Sequence, residues 1–414
     1  MPGFITKPLE NTINVITILI FAKMNTTKKL KKILLAVFCL CLIIGCYSEK
    51  SDASLQNNEK QAQKIDSLIK SNYKQELFHG GIVISKYGET IYENYLGIAD
   101  RTWNIPIQKN VKFDIASLNK SMTAALILKA VEEDKLHLNN KLVELLSNYS
   151  FEGSFHPEIT IHHLLSHSSG LPDYNNIPEE FKLNNFLKFK RFRFSNEEYI
   201  NFISKIEPLS EPGKQFYYSN FAYHLLAIIL EKTYKKPFAE ILKLKLTKPL
   251  GLKNTISESK NEVSINELAK AYLFDEVTQE WYQNPFIDFS LGRRIFSTAS
   301  DLNRWAQVMD NPGYLKKNSL QLMQQNHLSQ ISNIVGYGYG WVVFNKESNN
   351  EFGNLGINKK YIIHGGSTDG YKAMLININK GEYVISFLSN VGNRTQEMQL
   401  SQKIINILID KKND

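Results

Sequence analysis

The sequence predicts an α/β protein of the α+β type, in which one antiparallel sheet is built from both ends of the chain. Helices flank this sheet, and a mainly α-helical subdomain lies beside it. Two strand-like runs flank a turn within residues 80–98, and four more lie between residues 340 and 388. Between these regions the apolar residues recur mostly at helical spacing. Strands at both ends of a chain favour a single sheet to which both ends contribute.

Each element follows from a local pattern. Apolar residues at helical spacing predict a first helix, and an alanine-rich stretch without glycine or proline predicts a buried second helix. Runs of β-branched and aromatic residues bounded by turn residues predict strands. In chain order we predict helix 61–74, a hairpin of strands 81–85 and 90–95, helices 122–133, 221–232 and 238–246, strands 340–344, 360–364, 371–377 and 383–388, and helix 396–409.

Composition limits the chemistry available to the chain. Its 414 residues are 43% apolar and 22% charged, which is typical of a globular protein. All three cysteines lie within the first 46 residues, which excludes a disulfide framework and a cysteine-based metal site for the remainder. Residues 1–45 carry +5 of the net charge of +8, and no long basic run interleaved with aromatic residues indicates nucleic-acid binding. We expect no cofactor and no nucleic-acid partner.

The start of the chain has the pattern of an export signal. Lysines after Met24 precede a short apolar run that ends at Gly45-Cys46. A basic segment, a short apolar segment and a small residue before the cleavage point are typical of a secretory signal. Residues 43–46 also resemble the bacterial lipobox, in which the cysteine is lipidated. We therefore expect a signal region over residues 1–45 with the true start at Met24, although an uncleaved anchor is an alternative.

Three segments follow from this interpretation. The signal region is followed by a lipidated Cys46 and a polar tether over residues 46–60, and then by one domain over residues 61–411. We expect a monomer that is attached to the membrane through its lipid and located in the cell envelope, facing the periplasm or the cell exterior.

A serine and a lysine lie three residues apart just before the predicted buried helix. In residues 117–120 (Ser-Leu-Asn-Lys) the side chains of Ser117 and Lys120 share one helix face. A lysine in this position can accept the serine proton if burial or another cation lowers its pKa. The same pattern also begins at Ser67, Ser71 and Ser257. Ser117 differs because it lies at a helix N-terminus, where backbone N–H groups favour a developing anion.

Tyr218 and Asn220 form a second candidate pair. They follow a Pro-Gly turn and directly precede the predicted helix 221–232. A tyrosine next to a lysine can act as a base or a proton shuttle, and an asparagine can donate a hydrogen bond to a substrate carbonyl. Tyr-x-Asn also begins at Tyr92, Tyr174 and Tyr199, so a purely structural role stays open on local pattern alone.

The third group is His364-Gly365-Gly366-Ser367, at the predicted end of an apolar strand. Glycines in such a place let a substrate approach the backbone closely. The N–H group of Ser367 is a candidate oxyanion donor, together with the N–H group of Ser117.

These three groups, in this order, resemble the penicillin-recognising serine hydrolase superfamily, in the branch with class C β-lactamases, D,D-peptidases and related esterases. Four longer segments share the resemblance, at residues 113–125, 164–172, 211–220 and 296–302. The resemblance covers about residues 60–410. It implies a β-lactamase/transpeptidase-like fold and a serine hydrolase that acts through an acyl-enzyme on a small amide or ester.

The resemblance also implies a role for each matched residue. Ser117 would be the acylated nucleophile and Lys120 its proton acceptor. Tyr218 would protonate the leaving group and activate the deacylating water, while Asn220 would position the acyl carbonyl. The N–H groups of Ser367 and Ser117 would form the oxyanion hole.

His364 and Tyr174 concern the substrate. His364 stands where many relatives have a lysine, which is charged near neutrality and can bind a substrate carboxylate, whereas histidine is charged only part of the time. Efficient β-lactamase activity is therefore not expected. Tyr174 falls where relatives place a substrate-lining side chain. The substrate itself stays open between a D-amino-acid peptide, a cell-wall peptide and a carboxylic ester.

Several alternatives stay open at this point. The chain could be a lipid-anchored protein that binds muropeptides or penicillin with little turnover, or an envelope scaffold. His162, His163 and His167 suggest a metal site by spacing, but no carboxylate or cysteine pattern accompanies them. Arg293 and Arg294 could contact substrate or only cap a loop. Segments 173–196 and 272–292 are expected to form the walls of the pocket.

Overall fold

The computed structural model describes residues 55–177, 195–258, 263–284, 293–345 and 351–409. The chain divides into two units, Met1–Lys60 and Gln61–Asp414, and the sheet and candidate site lie in the second. The predicted signal region, the Met24 start and the lipidated Cys46 lie outside the described residues. Among the described helices, none combines the length and apolarity needed to cross a bilayer.

Six strands form the main antiparallel sheet, in the order β10-β11-β12-β13-β1-β2. The described strands are β1 (Gly80–Lys86), β2 (Glu89–Leu96), β3 (Ile98–Asp100), β4 (Ile105–Pro106), β5 (Phe113–Asp114), β6 (Ile256–Ser257), β7 (Ala271–Asp275), β8 (Glu280–Asn284), β9 (Ile295–Ser297), β10 (Val342–Phe344), β11 (Tyr361–Thr368), β12 (Tyr371–Ile378) and β13 (Tyr383–Ser389). β1 pairs with β13, so the first and last of the described strands meet inside the sheet. The predicted fold class is confirmed.

Helices cover the sheet and form the subdomain. They are α1 (residues 55–74), α2 (Asn119–Glu132), α3 (Leu142–Leu145), α4 (Ile161–Leu165), α5 (Asn196–Ser204), α6 (Asn220–Tyr234), α7 (Phe238–Leu242), α8 (Lys248–Leu250), α9 (Ala299–Gln307), α10 (Lys317–Gln324) and α11 (Glu397–Leu408). α2 and α6 are buried on nearly all sides and lie inside the protein. Both carry candidate residues in their first turn, which places those residues in the interior.

Hydrophobic cores lie on both faces of the main sheet. Side chains alternate along β1, so Val83 packs into one core while Ile82 and Ile84 pack into the other. The Val83 core also contains α2, α6 and α9, and the opposite core contains α1 and α11. Each fully buried aliphatic side chain contributes about 1.5–3 kcal/mol, so both cores hold the sheet firmly beneath the site.

Some predicted elements are wrong in detail. The helix predicted over residues 238–246 contains a π-helical turn, Lys243–Thr247, and stays helical to Leu250. The region predicted as mainly helical contains the hairpin of β7 and β8, paired from Ala271↔Asn284 to Asp275↔Glu280. Both strands are rich in aromatic residues and lie on either side of a turn, a strand signal that the longer helical periodicity obscured.

Candidate active site

Ser117 lies in a 3₁₀ turn, Ala116–Leu118, between β5 and the start of α2. Ala116 has φ +48°, an uncommon backbone conformation for a residue with a side chain. The Asp114 carboxylate accepts a hydrogen bond from the Ala116 N–H at 2.7 Å and forms a buried ion pair with Arg294. This pair holds the turn from beneath and leaves Ser117 partly exposed above it.

The ion pair gives a stability prediction. We expect Arg294→Met to lower the free energy of unfolding by about 3–5 kcal/mol, because the Asp114 carboxylate would remain buried without its partner. Urea unfolding measures this change. Arg293→Met is the matched control, because Arg293 pairs with the less buried Glu231 on α6. Equal losses in the two variants would contradict a special role for the buried pair.

Lys120 faces Ser117 from the first turn of α2. Its Nζ lies 3.2 Å from Ser117 Oγ and 2.6 Å from Asn220 Oδ1. The side chain is fully buried, and burial lowers the pKa of the Lys120 amine to about 7, opposed by the charge of Asp173. A neutral amine is therefore well populated at neutral pH. Such an amine can accept the Ser117 proton.

Asn220 is held by Asp173 as well as by its own helix. The Asp173 carboxylate accepts hydrogen bonds from the Asn220 backbone N–H at 3.2 Å and from its side-chain Nδ2 at 3.0 Å. The Ser219 side chain caps the N-terminus of α6 by accepting from the Ala222 N–H at 3.1 Å. The amide oxygen of Asn220 consequently faces Lys120.

Tyr218 precedes this helix and faces the same lysine. Its ring centre lies 4.9 Å from Lys120 Nζ, and its hydroxyl is hydrogen-bonded to the Ser117 side chain. Burial raises the pKa of the Tyr218 hydroxyl above its ordinary value. At neutral pH the side chain is thus a phenol that can donate a proton, rather than a phenolate base.

His364 lies on β11, and both of its ring nitrogens have partners. Nδ1 is 2.7 Å from the Gly365 carbonyl oxygen, which can only accept, so Nδ1 carries the proton. Nε2 then accepts from the Tyr337 hydroxyl at 3.1 Å. Burial, followed by the nearby Lys120, lowers the pKa of His364 to about 4. The ring is therefore neutral at neutral pH.

The strand that carries His364 passes directly beside the turn that carries Ser117. A side chain at Gly366 would place its Cβ 2.2 Å from the Ile115 carbonyl oxygen. This close approach brings Ser367, the next residue, to the Ser117 turn. β11 continues through Thr368, four residues beyond its predicted end, because Gly365 and Gly366 pair in register with β12.

The close approach predicts a loss of activity on a one-carbon change. We expect Gly366→Ala to lower kcat by about 100-fold, because β11 must move away from the Ser117 turn by about 1 Å. Steady-state hydrolysis of an ester measures this loss. Gly365→Ala is the control, since its Cβ would make an ordinary contact of 3.7 Å with Met374. A loss of equal size in both variants would contradict the explanation.

Comparison with known proteins agrees with this geometry. A family model described as Beta-lactamase matches residues 64–406. The chain belongs to this family. Penicillin-binding protein 4* of Bacillus subtilis (strain 168) is 27% identical over 361 residues, which cover 83% of this chain and 74% of that protein. As a member of the family, the chain is a serine hydrolase.

Two solved structures share the fold of this Beta-lactamase family member. EstCE1, a hydrolase with promiscuous acyltransferase activity, has a TM-score of 0.70 at 19% identity and covers 85% of this chain and 99% of its own. The D-amino acid amidase from Ochrobactrum anthropi SV3 has a TM-score of 0.68 at 19% identity, covering 84% and 98%. The β-lactamase-like architecture inferred from the sequence is confirmed.

Other residues singled out in the sequence lie elsewhere. Tyr174 is buried, and its ring packs against Phe221 at 5.0 Å between ring centres. The ring belongs to the hydrophobic core, and the substrate-lining role of Tyr174 stays a prediction. Arg293 donates to Asn196 and Glu231, so both arginines left open by the sequence have structural contacts in the described part of the chain.

The three histidines near the site have separate partners. His162 Nδ1 lies 2.7 Å from the Tyr339 hydroxyl, and His163 Nδ1 accepts from the Thr160 N–H at 3.2 Å. His167 Nδ1 accepts from the Ser219 N–H at 3.1 Å. Across the described residues, no group of three or more histidine, cysteine, aspartate or glutamate residues could hold a metal ion.

The sequence analysis did not assign three residues to the site. They are Asp173, which contacts Asn220, His167, which packs against Tyr218, and Tyr337, which contacts His364. The His167 ring lies 4.3 Å from that of Tyr218, with 32° between the ring planes, so it supports the phenol from one side. The sequence offered one indication of two of these residues, which was their position next to residues already singled out. Asp173 precedes Tyr174, and His167 lies within the family-like segment 164–172. Only the fold shows which of these neighbours reach the site.

Proposed function

We propose that this protein hydrolyses a small amide or ester through an acyl-enzyme on Ser117. The observation that carries the proposal is the contact between Ser117 Oγ and Lys120 Nζ, at 3.2 Å, with a fully buried lysine whose pKa is lowered to about 7. This combination supplies a nucleophile and a neutral base at the same point. It is the arrangement that activates a serine near neutral pH.

Acylation begins with transfer of the Ser117 proton to the Lys120 amine as Oγ bonds to the substrate carbonyl carbon. The carbonyl oxygen becomes an oxyanion between the backbone N–H groups of Ser117 and Ser367. Tyr218 then donates its phenolic proton to the leaving amine or alcohol, and the bond to that group breaks. The Lys120 ammonium returns its proton to the Tyr218 phenolate.

Deacylation runs in the opposite sense. A water molecule loses a proton to the Lys120–Tyr218 pair as its oxygen bonds to the acyl carbon. The ester bond to Ser117 breaks, Ser117 Oγ regains a proton, and the carboxylic acid leaves. Asn220, through its contact with Lys120, keeps the amine directed at Ser117 during both halves of the reaction.

The state of His364 narrows the substrate class. A neutral imidazole whose nitrogens contact the Gly365 carbonyl and Tyr337 has no charge with which to bind a carboxylate. We therefore propose substrates with an uncharged group beyond the scissile bond, such as D-aminoacyl amides and carboxylic esters. Peptides that end in a free carboxylate, and β-lactams, are expected to react slowly.

Active-site labelling and a substrate panel test this function. A fluorophosphonate probe followed by peptide mapping is expected to place one adduct on Ser117. D-phenylalanine amide and p-nitrophenyl esters are expected to be hydrolysed faster than a D-Ala-D-Ala peptide or nitrocefin. No adduct with either this probe or a fluorescent penicillin would overturn the proposal.

One variant tests the substrate class separately. His364→Lys restores a cation at that position and is expected to raise kcat/KM for the carboxylate-ending peptide relative to the ester by about tenfold. If the wild type has a higher kcat/KM for the carboxylate-ending peptide than for the ester, the proposal of uncharged substrates is refuted, irrespective of the result for the variant.

One observation favours a second candidate function, a lipid-anchored protein that binds muropeptides or penicillin with little turnover. Tyr218 stays protonated at neutral pH, which disfavours its use as the base in deacylation. The time course of p-nitrophenyl ester hydrolysis distinguishes the two functions. Continued release of p-nitrophenol after one equivalent supports the hydrolase, and release that stops at one equivalent supports the binding protein.

We further propose that the protein is attached to the cell envelope through a lipid on Cys46. The proposal depends on the basic and apolar segments before Gly45-Cys46. Radiolabelled palmitate is expected to label the wild-type chain but not Cys46→Ala. Equal labelling of both would refute the assignment.

A further inference from the structure

We propose that Asp173 is a positioning residue for the Ser117–Lys120 pair and acts through the side chain of Asn220. The inference rests on the proposed acyl-enzyme function, since it concerns the same site. Neither Asp173 nor its role followed from the motifs in the sequence.

The first argument is the direction of the Asn220 amide. A carboxylate can only accept hydrogen bonds, so the Nδ2 group of Asn220 must face Asp173, at 3.0 Å. The amide oxygen then points the other way and accepts from Lys120 Nζ at 2.6 Å. Without the carboxylate, the amide could rotate by 180° and present donors to the lysine. Asp173 thus ensures that the amide oxygen of Asn220, and not its NH₂ group, faces the Lys120 amine.

The second argument is how Asp173 is itself fixed. The Ser219 hydroxyl donates to the carbonyl of Pro172 at 2.8 Å, which fastens the segment before Asp173 to the start of α6. The other carboxylate oxygen accepts from the Asn220 backbone N–H at 3.2 Å. A negative charge at a helix N-terminus is stabilised by the helix dipole. The carboxylate therefore has one position relative to Asn220.

The third argument is electrostatic. Lys120 is faced by the tyrosine rings of Tyr218 and Tyr223, at 4.9 and 5.7 Å from its Nζ, and by the neutral His167 and His364. Asp173 is the acid that opposes the effect of burial on the Lys120 amine. Its carboxyl is half-buried, and burial raises its own pKa. Its charge and its hydrogen bonds act on the same amine.

The test compares the full chain with Asp173→Asn, which keeps the shape and one acceptor but removes the charge. We expect the pKa of Lys120, followed by NMR of ¹³C-labelled lysine, to fall by about one unit or more. We also expect kcat to fall about tenfold with little change in KM, and the rise of kcat/KM with pH to move to lower pH by the same amount.

Asp310→Asn is the matched control. Asp310 is also a carboxylate with a pKa raised by burial and a hydrogen bond from an asparagine side chain, Asn377. In the described part of the chain, the hydrogen bond to Asp310 comes from Asn377, which is not a residue of the site. This variant is expected to lose some stability while leaving kcat and the pH profile unchanged.

The outcomes separate the inference from the function on which it rests. An unchanged Lys120 pKa in Asp173→Asn, with no greater loss of kcat than in Asp310→Asn, would overturn the positioning role. The NMR titration needs no turnover. A lowered Lys120 pKa in a protein without hydrolysis would therefore uphold the contact and refute the proposed function alone.

Discussion

Ser117→Ala is expected to abolish hydrolysis, with kcat lowered by at least about 1,000-fold. The reason is that Ser117 Oγ forms the acyl bond in the proposed mechanism, and the neighbouring tyrosine and lysine cannot replace it. Lys120 is fully buried and Tyr218 stays protonated, so neither offers an accessible nucleophile. Ester hydrolysis and fluorophosphonate labelling measure the loss, and thermal unfolding shows whether the fold survives.

Ser67→Ala is the control for this variant, because residues 67–70 carry the same Ser-x-x-Lys pattern. Ser67 lies exposed on α1, where its hydroxyl donates to the Gln63 carbonyl at 3.0 Å, and Lys70 pairs with Asp66. The control should retain full activity and labelling. Residual hydrolysis in Ser117→Ala that exceeds a few per cent of the wild type would refute the assignment of the nucleophile.

Lys120→Arg is expected to lower kcat by about 100- to 10,000-fold, although it keeps a positive charge. Arginine stays protonated at any pH used for assay, so it cannot accept the Ser117 proton. Lys129→Arg is the control on the same helix, because Lys129 donates to the Tyr314 carbonyl at 3.0 Å and does not contact the site. Loss of activity in Lys120→Met but not in Lys120→Arg would show that charge, rather than proton transfer, is the requirement.

The same lysine predicts the pH dependence of the wild type. The reactive form is the free amine, and burial lowers the pKa of Lys120 to about 7. Therefore kcat/KM should rise about tenfold per pH unit below pH 7 and level off above it. The pKa of His364 is lowered to about 4 and that of Tyr218 is raised, so neither titrates in this window. A flat profile between pH 5 and 8 would exclude Lys120 as the base.

The fold class was predictable because the regions near both chain ends carry strong strand patterns and the middle of α2 is a continuous apolar run. These patterns are local, and the predicted strands and the predicted helix are all present in the folded protein. The π-helical turn before Pro249 and the hairpin of β7 and β8 were not predictable in the same way. In both places the helical periodicity of the surrounding region outweighed a local signal, which was Pro249 in the first and the aromatic-rich strands in the second.

The sequence by itself determined which residue types are available to the site: Ser117 and Lys120 one helical turn apart, Tyr218 and Asn220 before a second helix, and His364 beside two glycines. Their order along the chain was enough for the resemblance to a serine hydrolase family.

Only the tertiary structure decided how these residues act. Burial lowers the pKa of Lys120 and of His364, and Asp173 directs the amide of Asn220. Tyr174 is next to Asp173 in sequence, yet its ring packs into the core. The physical reason is that pKa values and hydrogen-bond directions depend on the dielectric surroundings and on partners far along the chain. A motif of a few residues specifies neither the dielectric surroundings nor the distant partners.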